Sequence, residues 1–346
     1  VLLFVGASTI SAQAPTHPLD HLSAAEHWTL YQVIRESGEI GEEARFLFAN
    51  LRPPPKAEVL AWQPGQSFRR DAFVHIVEDG TGYEAVVDLV GEELISWEVA
   101  SESSYMLGPD DWSSTDDVTE HPEVHAALEA RGYTDFTMIS CGVGSTAYLG
   151  EEDQLGRRIG RGSCSDKTGS VNGLGEQIPG LAFVFDYETK EVLEVIDSGA
   201  IPGRGPVAEH HPEAVGPTRE PLPPIIVSQP QGAGFEVDGS QFSWESWRFH
   251  LRMDPRVGLV LSQVGHEMDG EFRSVLYEAS LSELFVPYQG PTAPWSHQAY
   301  YDLGSFASTF EGIAGSMEVG RDCPARAHYI DSWVVKPDGS PQRKAR

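Results

Sequence analysis

Apolar and polar positions along the chain fall into short runs broken by proline and glycine, a pattern of many strands and few helices. Ser23-Ala24-Ala25-Glu26 forms a capping box, in which each side chain satisfies a backbone donor of the other residue. The spacing predicts a helix from there to Glu36, stopped by Gly38. Strand-like segments follow over 45–51, 58–62, 71–78, 82–90 and 93–99, separated by Pro53-Pro54-Pro55, Pro64-Gly65 and Asp79-Gly80. One helix against an antiparallel sheet is the expectation.

The order recurs downstream, with a helix over 120–131 ended by Gly132 and strands near 135–141, 181–187 and 191–196. Ala85-Val86-Val87-Asp88 with Glu93-Leu94-Ile95 matches Phe183-Val184-Phe185-Asp186 with Glu191-Val192-Leu193, a hairpin at the same internal spacing. Two copies indicate a duplication. Residues 156–175, rich in Gly, Arg and Ser, are expected to form a surface loop stapled by Cys141 and Cys164, and they lack the Gly-Lys-Ser/Thr ending of a phosphate loop. After a linker rich in proline and glycine, short alternating segments over 234–243, 247–254, 258–266 and 273–284 have turns at Asp238-Gly239, Asp254-Pro255 and Asp269-Gly270. They read as the first strands of a β-sandwich, too few to close two sheets over a core. The fold class is α+β, with two small duplicated domains over 15–108 and 109–200, a linker over 201–224 and the start of a large β-sandwich over 225–346.

The first residues carry a different message. Val1-Leu2-Leu3-Phe4-Val5-Gly6-Ala7 is short and apolar, and Ser11-Ala12-Gln13-Ala14 has the small-residue pattern of a signal-peptidase site. Residues 1–14 are read as the remnant of an export signal, without its initiator Met and charged start, so the protein is expected to be secreted or periplasmic. Export permits disulfides, and a Cys141–Cys164 bond would contribute roughly 3 kcal/mol by restricting the unfolded chain. Cys323 has no obvious mate.

Charge narrows the classes further. Lys and Arg number 24 against 52 Asp and Glu, a net charge of −28, which opposes the phosphate backbone of nucleic acid. No apolar run approaches the ~20 residues of a membrane helix. Twelve histidines include no His-x-His; of the clusters His17/His21/His27, His121/His125 and His210-His211, the i, i+4 pair His121/His125 reads as cap and solvated surface, and no metal site is expected. No Gly-x-Ser-x-Gly presents a nucleophile. What remains is Val286-Pro287-Tyr288-Gln289-Gly290-Pro291 with Tyr300-Tyr301-Asp302-Leu303-Gly304, a carboxylate amid aromatics. An enclosed carboxylate is poised as a base near neutral pH, whereas Asp-x-Gly is also ordinary turn chemistry, and the pattern leaves both readings open.

The runs Gln229-Pro230 with Phe235-Glu236-Val237-Asp238-Gly239, Trp244-Glu245-Ser246-Trp247-Arg248-Phe249, Asp254 to Leu261, Tyr277 to Leu284 and Val286-Pro287-Tyr288 resemble, in one order, the opening of the catalytic domain of copper-containing amine oxidases. The upstream modules resemble that family's paired small α+β domains. The resemblance implies oxidation of a primary amine to aldehyde, ammonia and hydrogen peroxide by molecular oxygen, with copper and topaquinone as cofactors, in a homodimer. It assigns Asp302 as the proton acceptor, Tyr288 as hydrogen-bond partner of a quinone oxygen, and Tyr300, Tyr301, Leu303 and Gly304 to the substrate channel. Three departures stand out. Ser305 replaces the usual acidic residue, Arg321 replaces the first cysteine of Cys-Asp-Cys, and these residues contain neither Asn-Tyr-Asp/Glu nor the copper histidines. The sequence is therefore expected to be the N-terminal part of such an oxidase, inert by itself and with open strand edges. The rival expectation is an exported, non-catalytic acidic module that binds cationic ligands.

Overall fold

The computed structural model describes residues 14–100, 116–145, 152–154, 157–170, 175–201, 211–217, 219–220, 222–223, 231–281, 284–288, 299–301, 317, 322–324 and 327–343. Helix α1 (Ala24–Glu36) starts at the expected capping box: Ser23 Oγ accepts the Glu26 amide at 3.2 Å while the Glu26 carboxylate accepts the Ser23 amide at 2.8 Å. Strand β1 (Arg45–Arg52), helix α2 (Lys56–Ala61) and strands β2 (Asp71–Glu78), β3 (Thr81–Asp88) and β4 (Glu93–Val99) follow, the strands forming an antiparallel sheet in that order. Leu30 and Ile34 on α1 pack with Phe46, Val74, Ile76, Ala85 and Val87 of the sheet to form the core.

One element departs from expectation. Of residues 58–62, expected as a strand, 58–61 belong to α2 and Trp62 is its C-cap. Pro55 occupies its N-cap with φ −51°, and Lys-Ala-Glu-Val-Leu-Ala has strong helix formers at every position but Val59, the one that is buried. A helix needs one buried position here, and a strand would need an alternating set.

The second module holds helix α3 (Pro122–Ala130) and strands β5 (Ile139–Ser145), β6 (Ile159–Asp166), β7 (Glu176–Gln177), β8 (Leu181–Asp186) and β9 (Glu191–Asp197), in sheet order β5-β6-β8-β9 with β7 also paired to β6. β5 starts later than expected because the Asp135 carboxylate holds the Thr137 amide and hydroxyl in a turn. The larger correction is β6. It runs through the segment expected to be a surface loop, and its Gly160 and Gly162 are packing glycines. A Cβ on Gly160 would lie 2.1 Å from Val143 Cγ1, and one on Gly162 would lie 2.4 Å from the Gly142 carbonyl oxygen and 2.7 Å from the Phe183 ring. The glycines let Phe183 and Tyr187, both buried, lie against the sheet.

The duplication reaches individual atoms. β3–β4 pairs Val87 with Leu94 and Asp88 with Glu93 after a bulge; β8–β9 pairs Phe185 with Val192 and Asp186 with Glu191 after a bulge. Asp88 Oδ1 accepts the amides of Val90 and Gly91, and Asp186 Oδ1 those of Glu188 and Thr189. Each turn ends on a non-glycine residue in the left-handed region, Glu92 at φ 55° and Lys190 at φ 61°.

Strands β10 (Phe235–Asp238), β11 (Gln241–Trp244), β12 (Trp247–Asp254), β13 (Gly258–Met268) and β14 (Glu271–Ser280) form an antiparallel meander, the opening of a larger β region. Phe272, Val275 and Leu276 of β14 are exposed. Two short hairpins follow, β15 (Phe285–Pro287) with β16 (Ala299–Tyr301) and β17 (Trp333–Val335) with β18 (Pro341–Arg343). Two compact units result: one gathers α1, α2, β1–β4, β10–β14 and β17–β18, the other α3, β5–β9 and β15–β16. In the first unit Val335 joins the core of the N-terminal module, and the Phe46 amide donates to the Pro337 carbonyl at 2.8 Å. The fold is α+β, as expected.

Candidate functional site

The segments singled out by sequence meet in one ladder. β15 and β16 pair antiparallel, with Phe285 opposite Tyr301, Val286 opposite Tyr300 and Pro287 opposite Ala299. Tyr288 leaves the end of β15 and is 37% exposed. Tyr300 and Tyr301 are in β16; Asp302, Leu303 and Gly304, next in sequence, lie outside the described residues, as do Ser305 and Arg321. In the same unit Cys141 faces Cys164 across the β5–β6 ladder with the two sulfurs at bonding distance. Cys323 is a free thiol, 3.7 Å from Met317 Sδ.

A second constellation was not legible in the sequence. Thr16-His17-Pro18-Leu19-Asp20 folds into a tight turn in which Asp20 Oδ2 accepts the amides of Thr16 (2.7 Å) and His17 (2.9 Å), while His17 Nδ1 accepts the Leu19 amide at 3.1 Å. Strand β12 delivers His250, fully buried, whose Nε2 lies 2.9 Å from Asp20 Oδ1. An ionised carboxylate only accepts, so Nε2 carries the proton. The His17 and His250 rings stack with centroids 4.4 Å apart. Arg70, also buried, donates to the carbonyls of Pro18 and Asp20 and to Glu26, tying the turn to the capping box.

Burial opposes ionisation of Asp20, but hydrogen bonds from His250, Ser240 and the Thr16 amide outweigh it and hold the carboxyl well below the usual range. Burial, reinforced by His250 and opposed by Asp20, pushes the His17 imidazole down to about 4, so its ring is neutral at pH 7. Burial lowers His21 and His27 as well.

Among the described residues, His17, Asp20 and His250 are the one group of three whose ligating atoms lie within 4.8 Å of one another. Their bonding does not suit copper. His17 Nδ1 and both Asp20 oxygens are already engaged, and the rings lie nearly face to face, 28° apart, instead of converging on a point. The group is a hydrogen-bonded knot between the first turn of the chain and a strand 230 residues later. The signal that hides it is an inverted pattern: β12 buries its polar residues, His250, Arg252 and Asp254, against neighbours such as Asn50, whose Nδ2 donates to Asp254 at 2.6 Å.

Comparison with known proteins follows this architecture. The family model described as copper amine oxidase, N2 domain, matches residues 17–100, and that described as copper amine oxidase, enzyme domain, matches 236–346. A primary amine oxidase of Arthrobacter sp. (strain P1) is 32% identical over 334 residues, covering 94% of this chain and 50% of that protein. The copper-containing amine oxidase gamma 1 of Arabidopsis thaliana is 31% identical over 344 residues, covering 96% and 48%. A copper-containing benzylamine oxidase from Hansenula polymorpha shares the fold with a TM-score of 0.73 at 24% identity, covering 95% of this chain and 54% of that one. The chain spans about half the length of the curated relatives it matches.

Proposed function

The chain belongs to the copper amine oxidase family, and from that footing we propose that it forms part of an enzyme oxidising primary amines to aldehyde, ammonia and hydrogen peroxide with molecular oxygen. The observation that carries the reading is the β15–β16 ladder, which joins the Val286-Pro287-Tyr288 and Tyr300-Tyr301 segments within the stretch matched by the enzyme-domain model. In this reading Asp302 takes the proton from the carbon bearing the amine, because a carboxylate beside aromatic side chains is a base of suitable strength. Tyr288 orients the reacting group by a hydrogen bond, and Tyr300, Tyr301, Leu303 and Gly304 shape the amine's path.

Copper and topaquinone would supply the metal and the electron sink of this chemistry, and the sequence holds no Asn-Tyr-Asp/Glu to furnish the quinone tyrosine. These 346 residues alone are therefore expected to be inert. We further propose export, an oxidised Cys141–Cys164 pair and a homodimer for the enzyme.

Two measurements test the proposal. The 346-residue chain incubated with a primary amine and oxygen should release no hydrogen peroxide. In the complete oxidase, Asp302→Asn should slow anaerobic reduction by amine roughly 10²- to 10⁴-fold, the range for loss of a general base. An unchanged reduction rate would remove Asp302 from its role.

A further inference from the structure

A cleft of about 400 Å³ opens in the first unit above the His17 ring, between Trp62 at the end of α2 and the β10–β11 turn. Its polar lining is Thr16, His17, Asp238, Ser240, Gln241 and Gln263, and its apolar wall includes Trp62 and Leu60. Among the described residues no Lys or Arg lines it. On the other side of Trp62 a cleft of about 290 Å³ holds Glu58 and also Arg69, whose guanidinium pairs with Asp71 at 2.5 Å, so the two clefts differ in charge balance.

Side-chain contacts hold the lining of the larger cleft in place. Trp62 is fixed by its indole N–H donating to the Gln66 carbonyl at 3.0 Å and by edge-to-face contacts with His17 and Phe68. Gln263 adopts φ 51°, where a side chain is strained, at an irregularity in the β12–β13 pairing, and its side chain hydrogen-bonds His17 on the cleft floor. His17, neutral at pH 7, adds no positive charge.

We propose that this cleft binds a small organic ammonium ion, with Asp238 as counter-charge, Trp62 as aromatic wall and the Gln263 and Ser240 oxygens as acceptors. A carboxylate and an indole lining one cleft, with no Lys or Arg among its described lining residues, favour an alkyl- or arylammonium over a neutral or anionic ligand. The inference stands on the cleft alone and is independent of the oxidase reading.

The test uses benzylammonium as probe and benzyl alcohol as its neutral counterpart, titrated calorimetrically into the whole chain at fixed ionic strength, so that diffuse attraction to the net −28 charge is constant. Saturable one-site binding of benzylammonium is expected, with benzyl alcohol and the Asp238→Asn chain each at least about tenfold weaker. Asp238 is the exposed last residue of β10, so Asp238→Asn should keep the wild-type melting curve. Gln263→Ala, checked in the same way, should weaken binding several-fold. Equal affinity for the alcohol, equal affinity of Asp238→Asn, or no saturable binding would overturn the proposal.

Discussion

His17 is neutral in the fold and readily protonated outside it, and that difference sets how the first unit responds to acid. Its folded value, about 4, lies below the ordinary 6.5, so the unfolded chain binds the extra proton first as pH falls. Stability is therefore full above about 6.5 and declines as pH drops toward 4. His21, His27 and His75 are lowered in the same direction by burial. Asp20 acts further down: its depressed carboxyl stabilises the fold above its unfolded value and is lost only in strong acid. The expected outcome is a melting temperature that falls steadily from pH 7 to pH 4.5, with a shallower slope in His17→Gln, read by circular dichroism. A pH-independent melt over that interval would contradict these assignments. The Ser23–Glu26 box was readable because both partners lie three residues apart. The Asp20–His250 bond was not, because no local rule links positions 230 apart.

Elements repeat that contrast. The 85–95 and 183–193 hairpins were legible because the turn aspartates, the bulge and the flanking apolar residues are all local. Strand β6 was hidden because its glycines look like loop and reveal their purpose only beside Phe183 and Tyr187. Gly162→Ala should therefore destabilise the second unit by about 1–3 kcal/mol, since the new methyl group meets a backbone carbonyl that cannot swing aside; urea unfolding checks this. Replacing both Cys141 and Cys164 by Ala should cost about 2–4 kcal/mol, because the 23-residue separation they close is released in the unfolded state. A reducing agent should lower the wild-type urea midpoint and leave the double variant unmoved. The α2 misreading has a simpler cause: six residues with one buried position carry too little pattern to separate helix from strand.

At the scale of the molecule, the excess of 28 negative charges repels itself over the whole surface. Salt shortens the reach of that repulsion from about 30 Å at 0.01 M to about 3 Å at 1 M. The melting temperature should rise between 10 mM and 0.5 M sodium chloride, and a falling one would mean that exposed ion pairs such as Arg248–Glu267 outweigh the repulsion. No helix among the described residues is long and apolar enough to cross a membrane. The sequence disclosed the α+β class, small helix-and-sheet elements ahead of a larger antiparallel region, while the grouping into two units depends on contacts between distant segments.

The anchoring of Pro337 and Val335 on β1 reaches back to how the protein is made. On a ribosome, early domains usually finish folding while later ones are still being translated. Here the nascent N-terminal module lacks one core side chain, Val335, until about 235 further residues have been synthesised and the β17–β18 hairpin emerges to cover it. That delay leaves the sheet face around Phe46 uncovered for as long as the intervening residues take to emerge.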